Sequence, residues 1–156
     1  MLRRQRVRRT RGGAIRIELP EQEREVLRRV VPQLRELLTM GAVDDRTRRL
    51  FPVAFPNDPE AEAEYRGYMR GELVESRLEA LDTIESTLET KVLTEEQAVA
   101  WLQSINSARL VLGSLLDVTE DLEIQDLPDD HPEIESYALY AYLSMLLDEL
   151  VQVLSI

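Results

Sequence analysis

The chain has 156 residues, 44% of them hydrophobic and only 5% aromatic, no cysteine, and a formal net charge of −11. That length suits a single domain spanning residues 1–156 that buries about two-thirds of its unfolded surface. The aromatic-poor apolar set predicts a core of Leu, Val, Ile and Ala in close-packed helices. The missing cysteine excludes disulfides, thiolate nucleophiles and cysteine-ligated zinc or iron–sulfur centres.

Charge is spread unevenly. Residues 1–17 carry seven arginines and no carboxylate, which leaves the rest of the chain at −18. No Lys or Arg follows Arg109, whereas eleven carboxylates do. This is not the field of a non-specific nucleic-acid binder. No charged leader followed by an apolar run opens the chain, and Asp148, Glu149 and Gln152 interrupt the apolar C-terminal stretch. The expectation is a cytoplasmic protein without a membrane span.

In chain order, Val7, Ile15 and Ile17 alternate with arginines around Gly12-Gly13, predicting a β-hairpin whose glycines supply positive φ. A lone hairpin is marginal, so it must dock on the helices or stay mobile. Pro20, Glu21 and Glu23 then suit the start of a helix over about residues 20–39. Val26/Leu27, Val30, Leu34 and Leu37 form its stripe, and Pro32 should kink it or remove one bond. The segment 49–59 holds three prolines and both phenylalanines, Phe51 and Phe55, expected to plug onto the helices.

Asp58-Pro59 with Glu60 and Glu62 reads as a cap, a first-turn proline and dipole-matching carboxylates. The helical pattern from there to about Thr90 is weakened by Gly67 and Gly71, predicting a bend or a break into two helices. Thr94 and Gln97 form a capping box for a helix that runs to Gly113. His131-Pro132 opens the last helix, apolar enough to be central in the bundle or to form a homodimer interface. The fold expected is mostly α, a bundle of four to six helices over 20–156 behind a short N-terminal β-hairpin or basic arm over 1–19.

Among the chemistry-bearing residues, the cluster Arg3, Arg4, Arg6, Arg8, Arg9 and Arg11 can bind phosphates or an acidic protein surface, or fold back on this chain's own acidic part. The acidic stretch from Asp117 to Asp130 lacks the glycine and the alternating ligands of a calcium loop, and reads as a solvated loop with helix caps. His131 is the single histidine and reads as a cap, so no His-His metal pair or paired histidine chemistry exists within one chain. Arg109 lies in register with Leu102, Ile105 and Leu112, so it points to the apolar side and requires a partner. Asp82 or Glu85 is the expected partner, with Asn106 one turn away. No catalytic or metal residue and no cofactor is expected, and the residues favour binding over chemistry.

Three segments, "RRLFPVAFPNDPEAEAEYR" at 48–66, "LEALDTIESTL" at 78–88 and "WLQSINSARLVLGSLLDVTED" at 101–121, together resemble an actinobacterial family of formerly unknown function, one branch of which is called an oxidative-stress transcriptional regulator. The resemblance implies a non-enzymatic regulatory or adaptor protein acting through a sigma factor, RNA polymerase or a Clp protease component. A regulator that senses oxidants through paired cysteines could not work that way in this chain. DNA binding by the arginine arm, or a small ligand held near Arg109, are the alternatives.

Overall fold

The computed structural model describes residues 5–40, 46, 49–51, 53–118 and 126–155. It is mostly helical, with α1 at Glu21–Thr39, α2 at Pro59–Thr87, α3 at Glu95–Leu116 and α4 at Ile134–Leu154. Three short strands, β1 at Val7–Arg9, β2 at Ile15–Ile17 and β3 at Val92–Leu93, make one antiparallel sheet in the order β1-β2-β3.

The expected hairpin forms around residues 10–14, where the Thr10 amide donates to the Ala14 carbonyl at 2.8 Å and the Gly13 amide to the Thr10 carbonyl at 3.1 Å. Gly13 has φ 86°, the left-handed region in which a Cβ is strained. Val7 faces Ile17 across the ladder, and Ile15 faces both Arg9 and Leu93. Val7, Ile15, Ile17 and Leu93 are sealed from solvent, so one sheet face belongs to the core. The hairpin is thus anchored by β3 on one edge and by the packing of β1 on α4.

Helix α1 buries Leu27, Val31, Leu34 and Leu38, while Val26, Val30 and Leu37 line the margin of that stripe. The helix runs on through Pro32, which lies on its exposed side. Helix α2 starts as expected: the Asp58 carboxylate accepts the Ala61 amide at 3.1 Å, and Pro59 occupies the first turn. It does not break at its glycines. Gly67 and Gly71 both face open space, and the Glu, Ala, Arg and Met around them favour the helix enough to carry it through.

Packing on α2 is one-ended. Ala80, Leu81, Ile84, Thr87 and Leu88 are buried, whereas no described side chain over residues 59–79 is. The connecting segment contributes Leu50 to the core and lays Phe51 against it, but Phe55 remains 45% exposed, edge-on to Tyr65. Only one of the two rings plugs the bundle.

The Thr94 hydroxyl accepts the Gln97 amide at 3.1 Å and the Gln97 side chain accepts the Thr94 amide at 3.0 Å, completing the capping box of α3. This helix passes Gly113 and stops at Asp117, whose φ of 51° is the left-handed conformation Asp tolerates. Ala98, Ser104, Ser107, Ala108, Gly113 and Ser114 are all buried on it, small residues that let neighbours approach from several sides. It packs on α1, α2 and α4, so α3 occupies the centre, one of the two places the sequence left open for the last helix. The Trp101 indole is fully buried and donates to the Thr87 hydroxyl at 2.7 Å. Helix α4 begins at Ile134 and turns Tyr137, Leu143, Leu146, Leu150 and Val153 inward. Among the described residues no helix is long and apolar enough to cross a membrane.

Candidate functional site

Three arginines of the basic arm, Arg6, Arg8 and Arg9, pair within this chain. Arg6 forms a two-pronged pair with Glu23, Nε to Oε1 at 2.6 Å and Nη2 to Oε2 at 2.9 Å. The amides of Arg6 and Val7 both donate to Glu149 Oε1 of α4, at 2.7 and 3.2 Å. Burial opposes ionisation of Glu23, but Arg6 and the nearby Tyr142 hydroxyl outweigh it and hold the carboxyl below its ordinary range. Burial first, and the Glu23 carboxylate next, push the Tyr142 phenol up. Arg8 lies 3.6 Å from Glu18, and Arg11 is exposed at the turn. Arg3 and Arg4 lie outside the described residues.

A pattern links the remaining arginines. No described helix carries a basic residue in its own last turn, yet three helix C-termini receive a guanidinium from elsewhere. Arg9 donates to the Val153 carbonyl of α4 at 3.0 Å and lies 3.3 Å from Glu95. Arg24 donates to the Leu88 carbonyl at the end of α2 and to the Leu19 carbonyl at 3.2 Å. Arg49 donates to the Val118 carbonyl just past α3 at 2.7 Å. Arg9 and Arg24 meet carbonyls that carry the negative end of a helix dipole, and Arg49 meets the chain just beyond one. Gly113 makes room for one of these caps, since a Cβ there would stand 2.6 Å from Arg49 Nη1.

Arg24 is the residue that sequence reasoning missed, being only 6% exposed. Its spacing to Leu27, Val31, Leu34 and Leu38 was the available signal, because it repeats the three-four step of the stripe. Arg109 obeys the same logic: Nη2 donates to Asn106 Oδ1 at 3.1 Å and Nη1 to the Tyr140 hydroxyl at 3.3 Å, with the guanidinium 5.9 Å from the Tyr140 ring centroid. Asn106 therefore joins Arg109, whereas Asp82 and Glu85 sit on Arg35, at 2.8 and 3.6 Å. The two carboxylates lie on the exposed side of α2, too far round the helix to reach the partly buried guanidinium of α3.

His131 Nδ1 accepts the Glu133 amide at 3.1 Å, and its ring meets Tyr137 edge-on, a local turn contact ahead of α4. In the acidic stretch Asp117 ends α3, Asp126, Asp129 and Asp130 are exposed, and Glu120, Asp121 and Glu123 lie outside the described residues. Among the described residues no group of three His, Asp or Glu side chains is placed to hold a metal ion.

Two exposed apolar side chains, Tyr68 and Met69, lie on the outer half of α2. Tyr65, Tyr68 and Met69 follow the i, i+3, i+4 spacing that places them on one helix face. Phe55 meets Tyr65 at a 6.0 Å ring separation, and Tyr68 is 75% exposed. On the inner side, burial pulls the Arg77 pKa down, and its guanidinium lies 5.9 Å from the Phe51 ring centroid.

An oxidative stress regulator, AosR, of Mycobacterium bovis and its namesake of Mycobacterium tuberculosis are each 30% identical to the chain over 127 residues, covering 79% of it and 58% of the relative. A relative of the same name from Mycobacterium leprae is 30% identical over 124 residues, 77% of this chain and 57% of its own. The chain thus spans less than three-fifths of the length of these relatives. No solved structure matches it. Residues 4–154 match the family described as a domain of unknown function, DUF2017, and the chain belongs to that family.

Proposed function

We propose that the chain is a non-enzymatic regulatory module of a bacterial stress response, acting by docking a partner protein on the outer face of α2. The observation that carries this reading is the cluster of exposed Phe55, Tyr68 and Met69 around half-buried Tyr65, on and beside a helix half in which no described side chain is buried. Aromatic residues and methionine are the types enriched at the centres of protein interfaces, because they offer large contact area for little lost rotamer freedom. The regulator names of the mycobacterial relatives support the same direction. A sigma factor or RNA polymerase is the proposed partner, with a Clp component next.

The pairing of Arg6, Arg8 and Arg9 within the chain weighs against DNA binding by the arm, since phosphates would have to displace Glu23, Glu18 and a helix carboxyl end. Paired-cysteine sensing is impossible in a chain without cysteine. The test is affinity capture from the native host with the wild-type chain, a Tyr68→Ala/Met69→Ala variant and an Arg8→Ala/Arg11→Ala variant. Capture of a transcription or Clp component by the wild type and the arginine variant, and its loss with the α2 variant, is expected. Loss with the arginine variant alone would move the contact to the arm and overturn the α2 assignment.

A further inference from the structure

A cavity of about 500 Å³ opens where the end of β2, the start of α1 and the start of β3 meet, lined by Arg6, Glu18, Leu19, Pro20, Arg24 and Lys91. That volume lies in the range of small-molecule sites, which run from about 300 to 1,000 Å³. In a chain of net charge −11, three of the six described lining residues are cations and one is an anion.

The cations are differently deployed. Arg6 is held by Glu23. Arg24 is more than nine-tenths buried and lines the cavity, with its Nε and Nη1 fixed by two carbonyls, Leu19 and Leu88. Its nearest carboxylate, Glu89, stands 4.0 Å away and is engaged by Arg28. Lys91, the only lysine of the chain, makes no ion pair or hydrogen bond through its side chain among the described residues.

Two neutral features complete the pocket. Pro20 caps α1 without a side-chain hydrogen bond, and its carbonyl accepts the amides of Glu23 and Arg24 at 2.9 and 3.1 Å. Leu19 and Pro20 form an apolar wall. No aromatic ring is among the lining residues, so nothing described there would stack a nucleobase.

We propose that this cavity binds a small phosphorylated sugar or polyol, its phosphate held between Lys91 and Arg24 at the start of α1 and its hydroxyls facing the Glu18 carboxylate. A phosphate dianion matches this donor set better than a single carboxylate, because the buried, preoriented guanidinium and the mobile ammonium can each take a separate oxygen. The apolar wall covers the carbon skeleton. The site is separate from the α2 face and stands or falls without it.

The probe is ribose 5-phosphate, titrated calorimetrically into the full chain, with ribose and inorganic phosphate as comparisons. Lys91→Gln removes one charge-assisted contact from an exposed position and is expected to weaken binding about tenfold. Arg11→Gln, a charge loss at the exposed hairpin turn, is expected to leave binding unchanged. Circular dichroism of both variants checks that the fold is intact. Absence of ribose 5-phosphate binding, equal weakening by both substitutions, or binding no tighter than that of ribose or of inorganic phosphate would each overturn the proposal.

Discussion

Replacing Arg6 by leucine removes one member of an ion pair that is neither free in solvent nor fully buried, with side-chain exposures of 22% for Arg6 and 18% for Glu23. Exposed pairs contribute about 1 kcal/mol or less, and breaking a buried one costs about 3–5 kcal/mol. The intermediate setting puts the loss at about 2 kcal/mol, or roughly 4–8 °C in melting temperature for a chain of this size. The sign of the pH dependence follows from Glu23. Its folded pKa is depressed, so its stabilisation is present above its unfolded value, about 4.3, and is lost as pH falls through the folded value. Without Arg6, burial is no longer offset by the ion pair, the folded pKa rises, and the penalty at pH 7 is relieved by protonation. Thermal unfolding followed by circular dichroism at pH 7 and at about pH 4 should therefore show a gap between wild type and Arg6→Leu that narrows on acidification. A variant within about 1 °C of wild type at pH 7, or a gap that widens towards pH 4, would refute the argument.

Thr87→Val keeps side-chain volume but leaves the buried Trp101 indole N–H unpaired, which should cost about 1–3 kcal/mol in urea unfolding, with the single tryptophan as reporter. Gly67→Ala and Gly71→Ala place a methyl group in open space within a helix and should each raise stability by about 0.5–1 kcal/mol; a loss would mean that the helix is interrupted there. Because Arg6, Arg8 and Arg9 are paired within the chain, any association with double-stranded DNA should be weak and vanish by about 0.2 M salt, and sequence-selective binding that persists there would contradict that pairing.

Local signals were legible where a few neighbouring residues fix the geometry. The Asp58-Pro59 start, the Thr94–Gln97 box and the Gly13 turn needed only near neighbours, and each is present. Strand β3 was not legible, because two residues, Val92 and Leu93, cannot display a period of two and acquire strand character only by pairing with β2. The break that the glycines of α2 suggested is absent for the opposite reason: propensity lowers helix stability by a modest amount per residue, and 29 residues of otherwise favourable sequence absorb two such costs. Arg109 and Asn106 were found because both lie within one helical turn. The carboxylates on Arg35 and the carbonyls capped by Arg9, Arg24 and Arg49 belong to other segments, a pairing that spacing along one helix cannot reveal.

The central claim is that the partner meets the outer face of α2 and not the arginine arm. It is tested most directly by placing a photo-crosslinking amino acid at position 68 or, separately, at position 11 of the full chain in its native host. The account predicts a discrete adduct with a transcription or Clp component from position 68 and none from position 11. An adduct from position 11 alone would contradict it.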